Sequence, residues 1–319
     1  MAKVFITRDI PQAGLELLAG QCDYTVWRGD GPPSHRELCA GVAGCHGILS
    51  LLTDRLDGIV MDAAGAQLRV ISNMAVGYDN IDVAAARARG IAVGNTPGVL
   101  TETTADLAFA LMAGAARRIV EGVDHVRAGK WLTWGPKVLL GHDLHGATLG
   151  IVGFGRIGQA LARRAAGFGM RVLFVDSGNK SEAAAQLGAK RVTLAEMLPV
   201  ADFMSLHVPS TPETRYMIGS TQLAMMKPSA ILVNTARGDL VDPAALEDSL
   251  RRRLIAAAAL DVTEPEPLPV GHALLALPNC LVVPHIGSAS HATRDLMATM
   301  AARNLLAGLA GVPLPNPVP

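Results

Sequence analysis

The chain has 319 residues, half of them hydrophobic and 18% charged, which allows two cores of ordinary size and excludes a disordered chain. Basic and acidic residues balance at 28 each, so the formal net charge is zero and offers no electrostatic footprint for nucleic acid or an anionic membrane surface. No run approaches the roughly 18 apolar residues of a membrane span, and the start carries no signal-peptide core, so a cytoplasmic protein without a membrane partner is expected.

Taken in order, Val4 to Ile6, Tyr24 to Trp27, Gly47 to Leu52 and Leu68 to Ser72 read as short strands, with a helix at Gln12 to Leu18. Such alternation implies parallel β-α units. Ile91 to Val93 reads as a last strand, and the breakers Asn95-Thr96-Pro97-Gly98 make a hinge after it. From Thr101 to Ala116 the spacing predicts a long helix with Thr, Glu and Asp in front and Arg117-Arg118 behind. It is apolar nearly all round, so it is expected to lie under a second domain or against a partner subunit. Lys130 to His145, with Trp131, Trp134, Gly135 and Pro136, shows little periodicity and reads as an extended loop bearing exposed aromatics. The cysteines Cys22, Cys39, Cys45 and Cys280 form no CxxC pair, and His46 beside Cys45 lacks further ligands, so no metal site is expected.

An apolar run from Thr148 to Val152 then reaches Gly153-Phe154-Gly155-Arg156-Ile157-Gly158, and the periodicity switches to that of a helix. In a GxGxxG turn the first glycine permits the tight bend and the second lets the backbone approach a pyrophosphate. The third permits close packing of helix on strand, with the helix N-terminus facing the anion. The next strand, Arg171 to Val175, ends in Asp176 at about the spacing of the ribose-binding acid. A carboxylate there accepts from ribose hydroxyls and repels a 2′-phosphate, which favours NAD. Lys180, within reach of a phosphate, leaves NADP open. Strands at Phe203 to Val208, Ala230 to Asn234, Ala256 to Val262 and Leu281 to Val283 complete a Rossmann pattern. The final helix, His291 to Gly308, is expected to cross back onto the N-terminal domain.

Three strand ends carry reactive groups. Arg237 follows a buried strand, where open α/β sheets place their ligands, and its forked guanidinium suits a carboxylate. His285 ends the last strand, and Asp261 to Pro267 offers a carboxylate to pair with it. A carboxylate beside an imidazole favours its protonated form.

With Ala75-Val76-Gly77-Tyr78-Asp79-Asn80, Asn95-Thr96-Pro97-Gly98, the glycine turn, Asn234-Thr235-Ala236-Arg237-Gly238, Asp261 with Glu266-Pro267, and Pro284-His285-Ile286-Gly287-Ser288, the chain resembles the D-isomer-specific 2-hydroxyacid dehydrogenase family. Within that family it is most similar to the glyoxylate/hydroxypyruvate reductase branch. The resemblance implies an α/β architecture of two Rossmann-like domains with parallel sheets. A nucleotide-binding domain, residues 100–285, is inserted in a discontinuous flavodoxin-like substrate domain, residues 1–99 plus 286–319. It implies Arg237 on the substrate carboxylate and carbonyl, His285 as general acid/base and Glu266 as its partner. Val76, Gly77 and Leu52 would complete the substrate site. Thr104, Gly153 to Gly158, Asp176, Pro209, Thr235, Ala236 and Asp261 would hold the cofactor. A homodimer is also implied, joined by the helix after Leu100 and the loop to His145, with Trp134 near the neighbour's site.

Leu51 and Leu52, on the loop that the resemblance implies faces the substrate, give a phosphate group nothing to bind, which favours a small 2-oxo acid over a phosphorylated one. Relatives that oxidise formate have glutamine where this chain has Glu266. The competing readings are a reductase of a larger 2-oxo acid and an NAD-sensing scaffold of the corepressor type.

Overall fold

The alternation of apolar runs and breakers is realised as two wholly parallel sheets in the computed structural model, which describes residues 1–319. Two compact units result, Met1–Leu100 with Ser288–Pro319, and Thr101–Gly287.

The first unit has strands β1 (Lys3–Ile6), β2 (Asp23–Val26), β3 (Gly47–Ser50), β4 (Val70–Asn73) and β5 (Ala92–Gly94), alternating with α1 (Gln12–Leu18), α2 (His35–Val42), α3 (Gly58–Ala64) and α4 (Val83–Ala88). The sheet order is β2-β1-β3-β4-β5. Helices α2, α3 and α4 each begin at an acceptor side chain, Ser34, Asp57 and Asp82, whose oxygens take up otherwise unpaired N–H groups. The closing helix of the chain, α13 (His291–Leu309), returns to this unit. It buries Met297, Ala298, Ala301, Ala302 and Leu305 against Val4, Ile6, Leu49 and Val70. Ser72 Oγ donates to Ala301 O at 2.8 Å and Asn304 Nδ2 to Asn95 O at 2.8 Å, which fixes the helix on the strand ends.

The second unit runs α5 (Thr101–Ala116), α6 (Ile119–Arg127), β6 (Thr148–Val152), α7 (Arg156–Ala166), β7 (Arg171–Val175), α8 (Ser181–Gln186), β8 (Lys190–Arg191), α9 (Leu194–Met197), β9 (Phe203–Leu206), α10 (Ser220–Met225), β10 (Ile231–Asn234), α11 (Pro243–Arg251), β11 (Ala257–Leu260), α12 (Ala273–Ala276) and β12 (Cys280–Val282). Its order is β12-β11-β10-β9-β6-β7-β8, a doubly wound sheet with apolar clusters on both faces.

Three differences from the sequence expectations have physical causes. Helix α5 lays its buried face, with Ala105, Ala108 and Met112, on the sheet and α7 of its own unit, so a second domain is not needed to cover it. Arg118 does not serve the end of α5. It sits in the left-handed region at φ 52°, opens α6 and pairs with Glu121 at 2.8 Å. Strand ends shift by a residue or two, as at Leu68, which is buried in the turn before β4. Burial, which an apolar run signals, extends past the paired ladder.

Candidate active site

The glycine turn lies between β6 and α7. Gly153 has φ +96°, and a Cβ there would stand 2.6 Å from the backbone carbon of His207. At Gly158 a Cβ would meet Gly153 O at 2.2 Å, so helix and turn touch as the motif requires. At Gly155 a Cβ would meet nothing within 4 Å. The space in front of that backbone is open, and no side chain caps α7, whose first amides therefore face it. Phe154 is buried against Phe174, with ring centroids 4.2 Å apart, and Arg156 and Ile157 open the helix. These features fit the pyrophosphate of a dinucleotide.

Asp176, just beyond β7, accepts from Phe154 N–H and from Gly178 N–H, both at 2.7 Å. One carboxylate thus ties the end of β7 to the glycine turn. Lys180 lies on the same side, its Nζ 3.8 Å from the position of a Cβ on Gly178. Thr235 immediately follows β10, and its buried Oγ1 has no partner, as expected of a group that meets a polar ligand. Pro209 follows β9 with its carbonyl held by Thr214 Oγ1 at 2.8 Å. Thr104 is buried on α5 with its side chain close to Gly287.

Arg237 follows Asn234, which organises the turn between them. Asn234 Nδ2 donates to Arg237 O at 2.7 Å, and Asn234 Oδ1 accepts from Ala236 N–H at 3.0 Å. The sequence shows Asn234 in its motif without a role for the side chain, although asparagine at the end of a buried strand is a known turn former. Next to Arg237, a Cβ at Gly238 would stand 2.0 Å from Thr263 O, so the Arg237 turn and the Thr263 turn are in backbone contact.

His285 Nδ1 lies 2.6 Å from Glu266 Oε1. Burial opposes ionisation of Glu266, but the hydrogen bond and charge of His285, the Thr263 N–H and the charge of Arg237 outweigh it and hold the carboxyl below its usual range. The backbone of His285 is left-handed, φ 53°, an uncommon conformation for a residue with a Cβ. Asp261 holds the two residues after His285, accepting from Ile286 N–H at 2.6 Å and Gly287 N–H at 2.8 Å. Its own carboxyl is pushed up by burial, against the pull of those two amides and of His285. A second histidine, His207, lies beside the glycine turn with its ring bonded to Ser205 Oγ at 2.8 Å and its Nδ1 buried, and burial drives it down to about 4. It is neutral near pH 7 and lacks the carboxylate partner that His285 has in Glu266.

In the first unit, Ala75 O accepts from Thr96 N–H at 2.9 Å and Val76 O from Asn95 Nδ2 at 2.8 Å. Since a trans peptide points its N–H opposite to its C=O, the amides of Val76 and Gly77 are turned the other way. Leu52, half-buried, lies in the turn closed by Asp54, which accepts from Leu51 N–H at 2.7 Å and Thr7 Oγ1 at 2.5 Å. Trp134 is 80% exposed on the irregular segment after α6.

A family model described as "D-isomer specific 2-hydroxyacid dehydrogenase, NAD binding domain" matches residues 109–287. A glyoxylate reductase of Korarchaeum cryptofilum is 51% identical over 98% of this chain and 95% of its own. A solved structure from Thermus thermophilus superposes with TM-score 0.94 at 49% identity, covering 99% of this chain and 100% of that one. Another, an NADPH-dependent glyoxylate/hydroxypyruvate reductase of Sinorhizobium meliloti in complex with NADP and malonate, superposes with TM-score 0.88 at 34% identity over 99% and 96%.

Proposed function

Because this chain belongs to the D-isomer-specific 2-hydroxyacid dehydrogenase family, we propose that it reduces glyoxylate to glycolate and hydroxypyruvate to D-glycerate, reversibly, with NADH as the preferred donor. The observation that carries the reading is the 2.6 Å contact between His285 Nδ1 and Glu266 Oε1, one backbone contact away from the turn of Arg237.

The forked guanidinium of Arg237 binds the substrate carboxylate and orients the carbonyl. His285, held by Glu266 through Nδ1, presents Nε2 as the proton donor to the carbonyl oxygen. A bound reduced nicotinamide supplies the hydride to the 2-carbon, and in the reverse direction His285 takes the hydroxyl proton. Asp261 keeps the His285 backbone in place. Val76, Gly77 and Leu52 are further substrate residues in this reading, and the glycine turn, Thr104, Asp176, Pro209, Thr235 and Ala236 hold the cofactor. Asp176 supports NADH by repelling a 2′-phosphate, although Lys180 beside it leaves NADPH usable.

We further propose a homodimer in the cytoplasm. Helix α6 buries no residue and exposes Ile119, Val120, Val123 and Val126, next to the exposed Trp131, Leu132 and Trp134. An apolar surface of this extent on one segment is characteristic of an interface. No helix is long and apolar enough to cross a membrane.

The test is loss of nicotinamide absorbance with NADH and, separately, NADPH, offering glyoxylate, hydroxypyruvate, pyruvate and phenylpyruvate in turn. Fast turnover of the first two with NADH is expected. Preference for phenylpyruvate would replace the substrate assignment, and cofactor binding without turnover of any substrate would favour a sensing role.

A further inference from the structure

Strands β9, β10 and β11 are neighbours in the second sheet, and their carboxyl ends lead into three adjacent loops. The second loop carries Arg237 and the third carries Glu266, while the first, Pro209 to Met217, has no part beyond Pro209 in the chemistry described above. Arg215 stands in that first loop. Its Nη2 donates to Glu264 Oε1 at 2.8 Å and to Tyr216 Oη at 2.9 Å, and its Nη1 lies 3.4 Å from Asp239 Oδ2. Glu264 is two residues before Glu266, and Asp239 two residues after Arg237.

Each end of this bridge is supported. Asp239 Oδ2 also accepts from Ser210 Oγ at 2.6 Å, and Asp239 O accepts from Tyr216 N–H at 2.7 Å. The guanidinium lies over the Tyr216 ring, its Cζ 4.4 Å from the centroid. Thr263 N–H lies 3.3 Å from Glu266 Oε2, and Thr263 O faces Gly238 at the distance only a glycine allows. A movement of Glu264 is therefore felt on both sides, at Glu266 and at the turn that presents Arg237.

We propose that Arg215 is a positioning residue that locks the Arg237 turn and the Glu266 loop in one register. The inference rests on the assignment of Arg237, Glu266 and His285 above. The side chain of Arg215 is 48% exposed and that of Glu264 30%, so the ion pair contributes little to stability. Its effect falls on geometry, where a displacement of an ångström is costly to rate.

The experiment compares Arg215→Met and Arg215→Lys with wild type in the full chain. It measures melting temperature, NADH dissociation constant, kcat and KM for glyoxylate, and the ¹⁵N signal of His285 Nδ1 without substrate. Arg215→Met is expected to lower kcat and raise KM, for a loss in kcat/KM of about tenfold or more. The NADH constant should stay within about twofold, and the His285 signal should lose the shift due to Glu266. Arg215→Lys, which keeps the charge for Glu264 without the fork to Asp239, should recover part of the loss. Kinetic constants and a His285 signal both unchanged in Arg215→Met would overturn the proposal. If the wild type turns over no 2-oxo acid, the functional reading fails by itself, and the His285 signal alone decides the role of Arg215.

Discussion

Asp261 grips the chain immediately beyond His285, one carboxylate oxygen on Ile286 N–H and the other on Gly287 N–H. A left-handed backbone costs a residue with a Cβ roughly 1–2 kcal/mol, and His285 is kept there by these two bonds together with its own N–H to Asp261 O at 3.0 Å. Asp261→Ala should therefore displace the imidazole and lower kcat about 100-fold, with Asp261→Asn in between because asparagine offers one acceptor oxygen and turns its NH2 donor towards the second amide. Steady-state kinetics checks this, and full activity in Asp261→Ala would separate the carboxylate from the His285 geometry.

Glu266 links the site to acid stability. Its carboxyl is held below the usual range in the folded chain, despite burial, by His285, Thr263 and Arg237, so the unfolded state binds the proton more readily. The stabilisation is present above the ordinary glutamate value of about 4.3 and is lost as pH falls through the lower folded value. Urea midpoints of wild type and Glu266→Gln, compared from neutral pH downward, should converge below about pH 4. A constant separation at every pH would show that ionisation of Glu266 does not stabilise the fold.

The glycines of the nucleotide turn make separable predictions. Gly158→Ala places a methyl 2.2 Å from Gly153 O and should destabilise the second unit as well as impair cofactor binding. Gly155→Ala meets no protein atom within 4 Å and has no positive φ to resist it, so it should melt like wild type. Its NADH dissociation constant should nevertheless rise about tenfold or more, because the methyl fills the approach of the pyrophosphate. Normal binding by Gly155→Ala would move the dinucleotide away from this turn.

Asp176→Ser should raise the ratio of NADPH to NADH efficiency, since it removes the charge that opposes a 2′-phosphate and leaves Lys180 nearby. It should also weaken binding of both cofactors, because Phe154 N–H and Gly178 N–H lose their common acceptor. Titration by cofactor fluorescence gives both constants. An unchanged ratio would assign cofactor choice to other residues.

Val123→Glu puts a charge in the exposed apolar face of α6 and should shift the protein from dimer to monomer in sedimentation equilibrium. Trp134→Ala should leave the dimer and change the relative rates on hydroxypyruvate and glyoxylate. A monomeric wild type would remove both expectations together.

How much was legible in the sequence depends on how local each constraint is. The turn of Gly153, Gly155 and Gly158 and its tie to Asp176 were legible because such a turn fixes their spacing within one β-α-β unit. Helix α6 was not read, since its apolar residues are exposed and the Arg117-Arg118 pair before it resembles a helix end. The orientation of the Val76 and Gly77 amides depends on Asn95 and Thr96, some twenty residues further along. The backbone anchoring by Asp261 depends on amides 25 and 26 residues away, where periodicity carries no information. Arg215 belongs to no motif in the sequence, and its place depends on Glu264 and Asp239, which the fold brings to either side of it.

The return of α13 to the first unit has a consequence for biosynthesis. Strands β1 to β5 leave the ribosome long before the helix that covers Val4, Ile6, Leu49 and Val70, and in the interval that apolar face has nothing from α13 on it. The second unit draws all its strands from one continuous stretch and can be completed first. By folding, it replaces a long flexible loop with a short fixed connection and reduces the entropy lost when α13 docks. The unit whose strands are made first is therefore the unit that is finished last.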